Sequence, residues 1–585
     1  MCGICVHFEY GINQPHKQQR KQQRELEAMK CVHRGPDNTV KYSINDALFT
    51  FHRLAINDLS SAGNQPFIVP YSTDENEIIC MCNGEIYNSK QLIEIYSLPV
   101  TSSSDCEVIP LLYKKFYKDN AEDAGNESGN ENKKNIEDLV KLLDGYFACV
   151  LVDTGTNDIF VFRDYLGIRS LYIQEGDNYL TVASELKCLD NSNLVNARQF
   201  PPRSIRQYSY ESGTMRPQLI NEWTYYDFDK FKFVQNISKS KFAINKDQQS
   251  EKDILLNIRS LFKNAVKKRL QSDRKVGAFL SGGFDSSVVC HDLASLLPEG
   301  VPLHTFSIGL KGSPDLLASR KVAKAIKSIH KEYVVTPQEM LLELEGTIRD
   351  CETYDVTSIR ASAMMRKLSR LISEDTDIVV VFSGEGSDEA SGSYLYFHNA
   401  PSAEEFQSET LRLLKDLHFF DVLRGDKSTA SAGLEIRVPF LDRDFIEYYM
   451  SIDPALKQPI KGIEKYLLRK AFADDPDCVL PAEIIWRTKE AFSDGVSTQT
   501  DSWFEIIKEY VSSDDVMKII DQSVYDTDHC RPQSIESAYY RSIFNKYYPN
   551  AEHVVPYMWL PKWSGNVTDP SARVLNVYKE VQNLN

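Results

Sequence analysis

Short apolar runs dominate the first two hundred residues: Ile78-Ile79-Cys80-Met81-Cys82, Phe147-Ala148-Cys149-Val150-Leu151-Val152 and Ile159-Phe160-Val161-Phe162. Bounded by Asp, Asn and Gly, they predict many buried strands with few helices. Residues 118–134 are polar, without aromatic or aliphatic residues beyond Ala, and predict a surface insertion. From about 225 to 253 the chain is aromatic and charged without periodicity; a long helical pattern then runs to near Leu270. A domain boundary is expected there. Beyond it, Val276–Leu280, Leu303–Ile308 and Ile378–Phe382 are apolar strands, each followed by a glycine-bearing turn and then helical spacing. That alternation predicts a parallel α/β sheet. Ligands of such sheets bind at the carboxyl ends of the strands, so Ser281–Asp285, Gly309–Asp315 and Ser383–Glu389 are expected to line one crevice. The chain after about 405 reads as largely helical.

Composition narrows the class. With 585 residues, 42% hydrophobic and 26% charged, the chain is long enough for two or three domains. No apolar run approaches the roughly 18 residues of a membrane span, and no charged-then-apolar leader opens the chain, so a cytoplasmic protein is expected. A formal charge of −16 argues against a nucleic-acid partner and for small-molecule substrates. The twelve cysteines form no regular framework, which fits reduced thiols. Cys2-Gly3-Ile4-Cys5 has CxxC spacing, but no second CxxC or matching His pair follows, so neither a metal site nor disulfide exchange is expected there. Cys80 and Cys82 read as alternate positions of one strand.

Two stretches carry candidate chemistry. In Leu280-Ser281-Gly282-Gly283-Phe284-Asp285-Ser286-Ser287, paired glycines let backbone N–H groups turn inward ahead of a helix start, which suits an oxyanion such as pyrophosphate. Paired glycines alone make an ordinary turn; with Asp285 and the hydroxyls of Ser281, Ser286 and Ser287 they make a nucleotide loop, and Asp285 is placed to hold Mg²⁺. No Lys follows as the Walker pattern requires. The second stretch is Cys2. Removal of Met1 would leave thiol and α-amine on one residue, with unperturbed pKa values of about 8.5 and about 7.7–8.0, a nucleophile carrying its own base. Downstream, Arg53 supplies a fork for a substrate carboxylate, Glu85 and Asp105 supply acceptors for an ammonium, and the Asn83 side chain with the Gly84 N–H supplies an oxyanion hole.

These stretches, with His33–Asp37, Asn83–Asn88, Ala183–Lys187, Glu352–Ser362, Ser383–Glu389, Gly433–Asp442 and Trp486–Gly495, resemble the glutamine-hydrolysing asparagine synthetases along nearly the whole chain. The resemblance implies an α+β N-terminal nucleophile (αββα) class II glutaminase domain over 2–200, a connecting segment over 201–252, and an α/β ATP pyrophosphatase domain, adenine nucleotide α-hydrolase-like, over 253–585. It implies a ligase that hydrolyses glutamine at Cys2, passes ammonia through an interdomain tunnel, and uses ATP and Mg²⁺ to activate aspartate as β-aspartyl-AMP. Leu54 and Ile56 would join Arg53, Asn83, Gly84, Glu85 and Asp105 around glutamine. Phe279, Ile308, Ser383 and Gly384 would contact the adenosine, and Ser281, Gly282, Gly283, Asp285, Ser286 and Ser287 the phosphates. Asp285 and Asp388 would hold Mg²⁺, Glu385 would act as general base, and Arg360 and Lys489 would neutralise pyrophosphate. A homodimer is expected by the same resemblance.

The chain departs from the family pattern at Cys5, Asn38, Phe279, Phe284, Ala390–Ser393 and after Val496, without removing a group of assigned role. Two other readings keep parts of this picture: a related β-lactam-forming synthetase, against which the intact glutamine pocket stands, and a regulatory protein that senses glutamine or ATP, against which the complete set of reactive residues stands.

Overall fold

In a computed structural model, residues 1–10, 14–44, 47–71, 75–119, 135–210, 217–231, 250–498 and 502–578 are described. Nearly all of the polar 118–134 insertion lies outside them. The chain divides into two compact units, one of Met1–Asp227 with Tyr548–Val554, the other of Phe228–Tyr547 with Val555–Asn585.

The first unit contains β1 (Gly3–Glu9), β2 (Asn38–Ile44), β3 (Ala47–Arg53), β4 (Phe67–Pro70), β5 (Glu77–Ile86), β6 (Gly145–Asp153), β7 (Asp158–Arg163), β8 (Tyr172–Gly176), β9 (Tyr179–Ala183), β10 (Ala197–Gln199), β11 (Ser204–Tyr210) and β12 (Pro217–Thr224). They form two six-stranded sheets, ordered β10-β8-β9-β1-β3-β2 and β12-β11-β7-β6-β5-β4. Ile4, Val6, Phe8, Phe49 and Phe51 of the first sheet pack with Ile79, Met81, Ala148 and Val150 of the second. The outer face of the second sheet, through Ile78, Cys80, Cys82 and Cys149, packs on the helices Val108–Lys114 and Ile136–Leu142. Both faces of β5 and β6 are therefore buried, which is why their sequences run almost continuously apolar. Residues 204–210 and 217–224, placed by sequence in a connecting segment, are instead strands of this sheet, because β11 hydrogen-bonds along β7. The rest of that segment, 232–249, lies outside the described residues.

The second unit carries a parallel sheet of β13 (Val276–Phe279), β14 (His304–Leu310), β15 (Ile329–Val335), β16 (Val380–Phe382) and β17 (Glu435–Arg437). Its order, β15-β14-β13-β16-β17, reverses at β13. The chain leaves β13 toward β14 on one side and reaches β16 on the other, so a crevice opens at the carboxyl end of β13, where the glycine turn begins. β17 lies inside the stretch that reads as helical; at three residues it is too short to announce itself by alternation. Among the described residues no helix is long and apolar enough to cross a membrane.

Candidate functional site

Each unit holds one candidate site. In the first unit strand alternation builds it. Ile4, Val6 and Phe8 face the layer between the sheets, and the same period continued back along β1 puts Cys2 on that face. Phe49 and Phe51 do the same for Arg53, and Ile79 and Met81 for Asn83 and Glu85.

The Cys2 thiol lies 3.7 Å from the Leu54 carbonyl, while the Arg34 guanidinium donates to the Cys2 carbonyl at 3.0 Å and to Glu185 at 3.0 Å. Glu185, fully buried, also takes His33 and Lys187. Burial alone would raise its carboxyl, but Lys187, His33 and Arg34 hold it well below the usual carboxylate range. The His-Arg and Ser-Glu-Leu-Lys stretches thus hold the backbone that carries Cys2.

Arg53 donates to the carbonyls of Ser60 and Asp58 and to the Asn64 amide oxygen. Asn57, which the sequence reading missed, bridges the two expected ammonium acceptors, 2.7 Å from Glu85 and 3.3 Å from Asp105. Burial pushes the Asp105 carboxyl up to about 6 against the Ile86 N–H it accepts. Asn83 is fully buried, with neither atom of its amide hydrogen-bonded to protein. An orphaned buried amide is costly unless a ligand completes it. Gly84 packs so tightly that a Cβ would sit 2.3 Å from the Tyr146 carbonyl. Leu54 and Ile56 are buried apolar wall.

In the second unit a cleft of about 1300 Å³ opens at the end of β13. Phe279, Ser281, Gly283, Asp285, Ser286, Ile308, Ser383, Gly384, Glu385, Asp388 and Lys489 all line it, so the three glycine turns do share a crevice. Gly282 and Ser287 act beneath the surface. Gly282 has φ 74°, and a Cβ there would lie 2.4 Å from the Ser319 backbone nitrogen, so the turn needs glycine both for its dihedral and for the close approach of the helix Pro314–Ile326. The Ser287 hydroxyl donates to the Gly283 carbonyl at 2.7 Å and braces the turn. Thr357, Ala361, Met365 and Leu368, one face of the helix Val356–Asp375, complete an apolar wall.

The charges of this cleft are locked on one another. Lys465, fully buried, donates to Asp285 at 2.7 Å and to Asp388 at 2.9 Å, and Lys489 reaches Asp388 at 2.6 Å. Burial would raise Asp388, yet Lys465 and Lys489 hold it far below its ordinary range. Burial lowers Lys489, but Asp388 and Asp285 outweigh it and raise its ammonium. Deeper in, Arg424 joins Glu385 at 2.6 Å and Asp421 at 2.5 Å. Burial lifts Glu385 to about 7; Arg424 pulls against this, and Asp421 and Asp388 add to it. The sequence reading missed Lys465, Arg424 and Asp421. Lys465 immediately precedes the helix Tyr466–Ala473, and the other two belong to one turn of the helix Asp421–Ala430; nothing local distinguishes them.

Arg360 does not reach the cleft. Its guanidinium is buried in paired contacts with Glu536 at 2.6 Å and Asp569 at 2.8 Å and lies over the Phe504 ring. The helix face that lines the cleft carries positions 357, 361, 365 and 368, and Arg360 is not among its lining residues. Among the described residues no group of three or more His, Cys, Asp or Glu is arranged for a metal.

Against known proteins, the family model described as asparagine synthase matches residues 257–411 and 400–564, and that described as glutamine amidotransferase domain matches 51–191. Asparagine synthetase [glutamine-hydrolyzing] from Gallus gallus is 40% identical over 580 residues, 95% of this chain and 96% of that protein. Its Homo sapiens counterpart is 40% identical over 578 residues with the same coverage. Among solved structures, the glutamine phosphoribosylpyrophosphate amidotransferase of B. subtilis is 13% identical over 83% of this chain and 98% of that one, with a TM-score of 0.29 that carries no argument. With 40% identity over 95% of its length, the chain belongs to the glutamine-hydrolysing asparagine synthetase family.

Proposed function

We propose that the protein makes L-asparagine from L-aspartate and ATP, using ammonia released from L-glutamine. The single observation that carries the reading is the convergence of the Ser281–Ser287 turn with Asp388, Lys465, Lys489 and Glu385 in one cleft, in a chain whose other unit presents Cys2 beside an orphaned Asn83 amide.

In the first site, once Met1 is removed, the Cys2 thiol gives its proton to its own amine and attacks the glutamine carboxamide carbon. Asn83 Nδ2 and the Gly84 N–H receive the developing oxyanion. Arg53 faces the substrate carboxylate, and Glu85 and Asp105 its ammonium. As the intermediate collapses the C–N bond breaks and ammonia leaves with the proton held by the amine, giving a thioester from which water releases glutamate and the free thiol.

In the second site the glycine turn and the helix start behind it receive the triphosphate. Asp285 and Asp388 are hard oxygen donors that face a common point, now taken by the Lys465 ammonium, and this donor set fits Mg²⁺ held partly by substrate phosphates. Bound there, the ion would neutralise phosphate charge. Lys465 and Lys489, released from the carboxylates, turn to the phosphates. The aspartate carboxylate displaces pyrophosphate to give β-aspartyl-AMP, which converts a poor electrophile into a good one. Glu385, lifted to about 7, takes a proton as ammonia adds, and AMP leaves.

The test supplies purified, Met1-processed protein with ATP, Mg²⁺ and aspartate, and either glutamine or ammonium. Asparagine, AMP and pyrophosphate in equal amounts from both nitrogen sources are expected. ATP–pyrophosphate exchange that does not need aspartate would sink the reading. A cytoplasmic location and a homodimer belong to the same proposal and are checked by fractionation and light scattering.

A further inference from the structure

The wall of the nucleotide cleft holds two polar groups that the proposed reaction has not used. Arg424 gives Nη2 to Glu385 at 2.6 Å and Nε to Asp421 at 2.9 Å, while its Nη1, also buried, has no hydrogen-bond partner. The Thr357 hydroxyl is likewise buried and unpartnered. Both residues line the cleft. Arg424 is only 9% exposed, so an idle N–H pair on it is costly unless something in the cleft accepts from it.

An acceptor of the opposite kind stands beside these donors. Asp421 gives Oδ1 to Arg424 and keeps Oδ2 with nothing closer than a 3.5 Å contact from the Tyr394 hydroxyl. Tyr394 itself donates to the buried Glu389, and Trp559 backs its ring with centroids 5.2 Å apart. Asp421, Tyr394 and Glu389 line the same cleft. Thr357 stands in the first turn of the helix Val356–Asp375, whose partial positive end also favours an anion. Donors for a carboxylate beside an acceptor for an ammonium are the complement of an α-amino acid head.

We propose that Arg424 Nη1 and the Thr357 hydroxyl bind the α-carboxylate of the amino-acid substrate, and that Asp421 Oδ2 receives its α-ammonium. This rests on the synthetase reading above and names the residues that select its acceptor. Unlike Lys465 and Lys489, Arg424 need not be released for its ligand to bind: Nη1 takes the carboxylate while Nη2 and Nε keep their partners. The same guanidinium holds Glu385, so one side chain sets both the substrate's head and the base that serves its reacting end. An acid without the α-carboxylate leaves Nη1 orphaned, and one without the ammonium leaves Asp421 Oδ2 facing no cation; each is rejected for a buried group left unpaired.

The experiment saturates the full-length protein with Mg²⁺ and α,β-methylene-ATP, whose carbon bridge prevents adenylation. L-Aspartate, β-alanine and succinate are then titrated by calorimetry; β-alanine lacks the α-carboxylate, succinate the α-ammonium. Each analogue is expected to bind about 30-fold or more weakly than aspartate. In Thr357→Val and in Arg424→Lys protein the aspartate preference over β-alanine should shrink by about 10-fold, while the preference over succinate holds. Asp421→Asn should shrink the preference over succinate. Should Arg424→Lys fail to fold, Thr357→Val, which exchanges one hydroxyl for a methyl, decides. No binding of aspartate, equal Kd values for aspartate and β-alanine in the wild type, or preferences unmoved in the variants overturn the proposal. Selective aspartate binding without ATP–pyrophosphate exchange when ATP replaces the analogue would strike the synthetase reading and leave the subsite standing. Aspartate-dependent exchange without that selectivity would do the opposite.

Discussion

In the glutamine site Arg53 is held by neutral carbonyls, those of Asp58 and Ser60, whereas in the nucleotide cleft Lys465 and Lys489 are closed on the carboxylates of Asp285 and Asp388. The difference follows from what each site would receive. Glutamine is a zwitterion of no net charge, so the first site keeps separated charges on a rigid frame and needs little rearrangement to bind it. A triphosphate with a divalent cation is heavily charged, and a cleft with unpaired lysines and carboxylates would be costly to bury. The second site stores its charges as internal ion pairs that ligand must exchange. One site is preorganised; the other is reorganised by its substrate.

That contrast can be broken in order of expected effect. Cys2→Ala should drop glutamine-dependent asparagine formation below detection while ammonium-dependent formation persists, assayed in parallel on the same preparation. Equal loss of both would erase the separation of the sites.

Next, Lys465→Met should lower ATP–pyrophosphate exchange by about 100-fold or more, with glutaminase turnover retained. Because it leaves Asp285 and Asp388 facing each other, it should also cost about 3–5 kcal/mol of stability in the second unit, read by denaturant melts, unless Mg²⁺ and ATP are added. A melt unchanged by the substitution would mean that the pairs are not the store of charge argued here.

Asp105→Asn should raise KM for glutamine by about 10- to 100-fold with a smaller effect on kcat. The wild type should show the same trend with pH: Asp105 titrates near 6, and only its carboxylate form accepts the ammonium, so KM should climb as pH falls through 6. A KM flat from pH 8 to about 5 would remove Asp105 from recognition.

The smallest effect is the pH limb of Glu385. Its carboxyl titrates near 7 and a base must be deprotonated, so synthesis at fixed free ammonia should rise as pH increases through 7 and level above it. Glu385→Gln should abolish the limb. A limb surviving in the Gln variant would assign it to another group.

The candidate glutamine site was legible because Cys2 follows a removable Met1 and because Arg53, Asn83, Glu85 and Asp105 stand in short contiguous motifs; the strand period of two, seen in the structure, is what turns Cys2, Arg53, Asn83 and Glu85 to one buried face. The candidate nucleotide turn was legible because glycine, Asp and Ser stand together in the seven residues Ser281–Ser287. Arg360 shows the limit of carrying a role by motif. It lies in the right stretch, but helical phase turns it toward Glu536 and Asp569, and phase relative to a cavity is set by how the helix packs.

The sequence by itself determined the two domain types and singled out the stretches around Cys2, Asn83 and Ser281–Ser287 as candidate sites, since these rest on local periodicity and on short contiguous motifs. Tertiary structure alone decided that Lys465 would bridge Asp285 and Asp388 across 180 and 77 positions of chain, that Arg424 would pair with Glu385, and that β11 and β12 would extend the second sheet. Ion pairing and burial depend on distances between residues remote in sequence, and no local pattern encodes them.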